Sequence, residues 1–127
     1  MLEGSLKPVV WVGSSLKDLR AFPRTVQRNM GIALLAVQYG AEPPEAKALK
    51  GFGGRSVLEL VEDHARGTFR TVYTVRFDGA VYVLHAFQKK AKRGIATPAA
   101  EVALVRRRLA EAEAVHRARL KGESSDG

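Results

Sequence analysis

Residues 69–87 read FRTVYTVRFDGAVYVLHAF. Two runs rich in β-branched and aromatic residues, Phe69 to Phe77 and Val81 to Phe87, flank the pair Asp78-Gly79. Asp and Gly both tolerate positive φ, so the stretch predicts two antiparallel strands joined by a turn. Upstream, Ser56 to Glu62 (SVLELVE) predicts another strand, separated from the hairpin by the polar turn Asp63 to Gly67. Three consecutive strands then form an antiparallel meander. Pro8 to Gly13 (PVVWVG) predicts a short buried strand free to join the same sheet.

The remaining segments have helical patterns. Ser15 stands where a cap would open a short helix, with Asp18 three residues on, and the helix should stop near Phe22 because Pro23 follows. Pro23 is suited to opening a second helix, in which Val26, Met30, Ala33, Leu34 and Val37 share one face and Gly40 ends the run. Ala41 to Gly54 (AEPPEAKALKGFGG) reads as a loop. Thr97-Pro98 opens a last helix with Val102, Val105, Leu109 and Ala112 on its apolar side, fading near Leu120. The expectation is an α+β fold in one domain over residues 1–121: an N-terminal strand, a helical hairpin, a three-stranded meander completing one sheet, and a C-terminal helix. Residues 122–127 (GESSDG) read as a disordered tail.

Bulk properties narrow the partners. The 127 residues carry a net charge of +8, which favours polyanions such as nucleic acid, or an acidic protein. There is no cysteine, hence no disulfide framework, no thiolate metal site and no thiol nucleophile. No apolar run approaches the roughly 20 residues of a membrane helix. The start MLEGSLKPVVWVG lacks the basic and apolar regions of a signal peptide, so a cytoplasmic location is expected.

Strand alternation places Phe69, Thr71, Tyr73, Val75 and Phe77 on a face that should meet the helices, and Arg70, Val72, Thr74 and Arg76 on the other. An exposed face carrying Arg70 and Arg76 suits phosphate, which guanidinium grips with two prongs. Equally, Arg70 can pair with Glu59 or Glu62 as a structural ion pair. Lys89, Lys90, Lys92 and Arg93 follow the last strand and can hold an RNA backbone by charge, or form a solvated loop that discourages edge pairing. His85 is the titratable group best suited to acid–base work, yet alternation groups it with Val81, Val83 and Phe87, the company of a core histidine. His64 and His116 have no evident partner, and no spacing suggests a metal site. Gly51 to Arg55 lacks the Gly-Lys-Ser/Thr ending of a phosphate loop and reads as a turn with Arg55 available for charge contacts. Arg106, Arg107, Arg108, Arg117, Arg119 and Lys121 make the last helix basic, either as a solvated face or for docking on RNA or an acidic partner.

The strings LKGFG, FRTVYTV and VLHAFQKKAKRGIATP, in this order of elements, resemble the phage-derived HigB-like branch of the RelE/ParE toxin superfamily. The likeness covers roughly residues 7–115. It implies the RelE-like fold, a type II toxin–antitoxin pair with a helix-turn-helix antitoxin, and ribosome-dependent cleavage of messenger RNA by 2′-hydroxyl attack, without metal or cofactor. Under it Arg70 matches a phosphate-binding arginine and Lys90 a basic residue after the last strand, with Lys89, Lys92 and Arg93 extending the patch. Two departures stand out. Glu59 and Glu62 replace basic residues of many relatives, leaving a carboxylate such as Glu59, or His85, as candidate for acid–base work. Gly94 to Thr97 also stands where some relatives have a tyrosine. A gyrase-poisoning ParE-type inhibitor and a non-catalytic RNA- or protein-binding relative are the alternatives.

Overall fold

The computed structural model describes residues 6–89 and 97–126. Five strands form one sheet in the order β1-β5-β4-β3-β2. They are β1 (Val9–Trp11), β2 (Ala46–Ala48), β3 (Leu58–His64), β4 (Gly67–Thr74) and β5 (Val81–Lys89). Helices α1 (Ser15–Arg20) and α2 (Arg24–Gln38) cover one face, and α3 (Ala99–Asp126) covers the other. The α+β architecture agrees with the pattern read from sequence. Among the described residues no helix is long and apolar enough to cross a membrane.

The meander pairs antiparallel, with Glu59 opposite Val72 and Arg70 opposite Phe87. Strand β1 joins at the β5 edge in parallel, Val9 beside Val81 and Trp11 beside Val83. Because β1 is so short, no strand of the described residues lies on that side of β5 beyond Val83. Strand β2 lies inside the segment expected to be a loop: Pro43 and Pro44 precede it, and Ala46 to Ala48 pair with Leu58 to Leu60 as an edge strand.

Several boundaries differ from expectation for identifiable reasons. Ser15 does not cap α1; Ser14 holds that position, and the buried Ser15 hydroxyl donates to the Val83 carbonyl at 3.1 Å. Strand β4 ends at Thr74, so residues 75–80 form a wider connection than a two-residue turn, although Gly79 does take a positive φ of 90°. Phe77 leaves the strand and packs with Tyr82 and His116 on the α3 side, opposite to the face that alternation assigned it. The helix α3 continues through Gly122 to Asp126, across the stretch read as a disordered tail; no proline interrupts it there, and one glycine costs only about 1 kcal/mol.

Two apolar layers result. Leu58, Leu60, Phe69, Tyr73, Val81 and Val83 meet Leu19, Val26, Met30 and Val37 of α1 and α2. On the reverse, Val57, Val72, Tyr82, Leu84 and Phe87 meet Val105 and Ala112 of α3. The face expected to lie open around Arg70 is therefore roofed by a helix.

Candidate active site

The position of His85 is decided by a β-bulge. Val72 is opposite His85 but the next residue, Tyr73, is opposite Val83, so Leu84 is the extra residue on β5. A bulge reverses the alternation beyond it. Val81 and Val83 face α1 and α2, whereas His85 and Phe87 turn to the α3 side. The apolar grouping of His85 with Val81 and Val83 is thus corrected. Its stacking on Phe87, with ring centroids 4.8 Å apart, keeps the expected i,i+2 relation.

His85 Nε2 lies 2.6 Å from Glu101 Oε1 in the first turn of α3. Its Nδ1 lies 3.5 Å from an Arg108 guanidinium nitrogen. Arginine only donates, so this contact favours the tautomer in which Nδ1 accepts and Nε2 donates to Glu101. Arg108 is itself fixed by donating to the Leu84 carbonyl and the Ser14 hydroxyl, each at 3.0 Å, and Ser14 donates onward to Asp18 at 2.7 Å. His85 is nearly buried while Glu101 is one-third exposed, so this polar chain ends on a carboxylate that meets solvent. A cleft of about 370 Å³ opens there between α1, β5 and α3; Asp18, Phe22, His85, Phe87, Gln88 and Glu101 are among its lining residues.

On the same face, Arg70 and Glu59 are both buried and their nitrogen and oxygen lie 3.0 Å apart. The Thr97 hydroxyl accepts from Arg70 and donates to Glu59, each at 3.0 Å. Of the two acidic partners open to Arg70, Glu59 is the one used; Glu62 instead accepts from Asn29 at 2.8 Å. A smaller hollow of about 160 Å³ lies against this triad, with Lys47, Lys50, Glu59, Thr97 and Val102 in its wall.

The other candidates scatter. Arg55 pairs with Glu42, beside the hollow that Tyr73 lines. Arg76 is exposed beyond the end of β4, with its backbone amide donating to Thr74. Lys89 ends β5 opposite Thr68. Lys90, Lys92 and Arg93 lie outside the described residues. Glu101 was not named from sequence, while Thr97 was named only at the opening of the last helix and Arg108 only within its basic face, neither as a partner of Arg70 or His85. Extending the Val105–Ala112 stripe by helical periodicity to Glu101 and Arg108 would have found two of them.

Family comparison bears on this arrangement. The family described as phage derived protein Gp49-like (DUF891) matches residues 17–110. The chain belongs to that family. It is a toxin–antitoxin-associated family, and the matched span runs from α1 through the first turns of α3, taking in Asp18, Glu59, Arg70, His85, Glu101 and Arg108. No curated protein and no solved structure shows significant similarity to the chain.

Proposed function

We propose that this Gp49-like chain is the toxin of a type II toxin–antitoxin pair and cleaves messenger RNA at the ribosome. The observation that supports this reading is the convergence of His85–Glu101 and Arg70–Glu59 on one sheet face, on the two sides of the first turn of α3. Cleavage by 2′-hydroxyl attack forms the O2′–P bond and breaks the P–O5′ bond, leaving a 2′,3′-cyclic phosphate and a 5′-hydroxyl. It requires a base for the 2′ proton, an acid for the 5′ oxygen, and positive charge on the pentacovalent phosphate. Glu101, solvent-facing and oriented by His85, is suited to take the 2′ proton. Arg70 is suited to the phosphate once its oxygens replace those of Thr97 and Glu59, which requires the first turn of α3 to lift. The basic stretch Lys89 to Arg93 joins β5 to that turn and is suited to the RNA backbone. A helix-turn-helix antitoxin is the partner expected under this reading.

One observation favours a second reading, a non-catalytic RNA- or protein-binding relative. Arg70 is 5% exposed and its ion pair with Glu59 is roofed by α3, as a purely structural pair would be.

Expressing the chain without a partner in a bacterial cell and mapping messenger ends by primer extension separates the two. New 5′ ends inside translated codons, lost in a folded Arg70→Ala protein, support the nuclease. Growth arrest with intact messages, or no arrest, supports the binding relative.

A further inference from the structure

The face of α2 that points away from the core breaks the usual rule for a surface helix, whose outward side is charged. Ile32, Leu35 and Tyr39 are 62%, 45% and 65% exposed. With Arg28 they recur at spacings of four, three and four residues, the seam pattern of paired helices. Gly31 borders the same stripe, and a Cβ built on it would meet nothing within 4 Å. A glycine in a helix interior costs about 1 kcal/mol relative to alanine; here it leaves room for a neighbouring helix to approach. The helix contains no acidic residue.

We propose that this stripe is the seam of a homodimer, in which α2 packs antiparallel on α2 of a second copy. A two-fold axis between residues 33 and 34 puts Ile32 in one layer with Leu35 of the second copy, and Arg28 in one layer with its Tyr39. Each layer is repeated by the symmetry, so the surface is self-complementary, as a two-fold interface must be. Gly31 then comes level with Ala36 of the second copy, next to the Ile32–Leu35 layer, and the Arg28 guanidinium can lie against the Tyr39 ring. Arg24 is carried toward the end where Glu42 follows, so the basic start of one helix meets the acid-bearing end of the other. The helix dipoles oppose as well. A strongly acidic partner helix fits less well, because Glu45, Glu62 and Asp63 line a hollow that Ile32 shares. The basic residues of α3 lie across the sheet, beyond the Debye length of about 8 Å at physiological salt, and repel little at this seam.

Sedimentation equilibrium of the full chain across a wide concentration range tests the seam. The expected result is a reversible monomer–dimer equilibrium. Ile32→Lys with Leu35→Lys should weaken it at least about a hundred-fold, about tenfold for each of the two symmetry-related apolar layers, with the circular dichroism unchanged and the melting curve unchanged at dilutions where both proteins are monomeric, because both side chains are exposed in the monomer. The chain has no cysteine, so Arg24→Cys accepts a single paramagnetic label. Mixed with an isotope-labelled copy, it should broaden signals around Tyr39 to Glu42 of that copy. A monomer at every concentration, a dimer indifferent to the double substitution, or broadening centred on α3 would overturn the proposal. None of these outcomes depends on whether the chain cleaves RNA.

Discussion

His85 Nε2 and Glu101 Oε1 lie 2.6 Å apart, which ties the last strand of the sheet to the first turn of the helix that roofs it. The contact exists because the bulge at Leu84 turns His85 to the α3 side and because Arg108 occupies its other nitrogen. This arrangement favours the tautomer whose Nε2 donates to Glu101, and the carboxylate it orients is the group that meets solvent.

Glu101→Gln keeps a hydrogen-bonding partner for His85 but removes the base. Under the nuclease reading, cleavage of ribosome-bound message should fall by about 10²–10⁴-fold, with the melting midpoint little changed because Glu101 is partly exposed. Primer extension and a thermal melt on the same preparation check this. Cleavage at the wild-type level would move the base elsewhere.

Arg70 and Glu59 should behave as a buried pair. Arg70→Ala leaves an uncompensated carboxylate and should cost about 3–5 kcal/mol, as should Glu59→Ala. The double variant should recover a substantial part of that loss. Urea denaturation of the four proteins in the cycle measures the coupling; losses that simply add would deny it.

Gly13 takes a φ of 58°, and a Cβ built there would lie 2.7 Å from Arg108 Nε. Gly13→Ala should destabilise the chain by about 1–3 kcal/mol and loosen the Arg108 bonds to Ser14 and Leu84. Under the nuclease reading it should also lower cleavage, through misplacement of His85. Denaturation and the histidine ring resonances report the two effects separately.

Burial, assisted by the charge of Glu42 and opposed by that of Arg55, pushes the Tyr73 hydroxyl up to about 12 from its ordinary 10.0. The folded chain then holds a proton that the unfolded chain has lost between these two values. Stability linked to Tyr73 is fully present below about pH 10 and is lost as pH rises toward 12, by about 2–3 kcal/mol. Tyr73→Phe should show a shallower fall of stability across that window in urea titrations. Equal slopes would place the loss on other groups.

Much of the fold was legible because its determinants are local. Strand alternation, the Pro23 boundary and the helical spacing from Val26 to Val37 placed four of the five strands and all three helices of the described residues. Strand β2 was missed because Ala46 to Ala48 has little strand propensity of its own and is held by pairing with Leu58 to Leu60. His85 was given the wrong neighbours because a bulge depends on the match between two strands, which no window on one strand contains. Arg70 could be read equally as a phosphate ligand or an ion-pair partner, since its strand says nothing about what lies above it.

By itself, then, the sequence determined four of the strands and the three helices of the described residues, named Arg70, Glu59 and His85 as candidates, and set the net charge of +8. Only the tertiary structure decided that α3 closes over Arg70, that Glu59 is its partner, and that Glu101 and Arg108 flank His85. Those relations join residues that are 11 to 27 positions apart along the chain. They are set by how a helix packs on a sheet and where a bulge falls, both of which depend on the whole core at once.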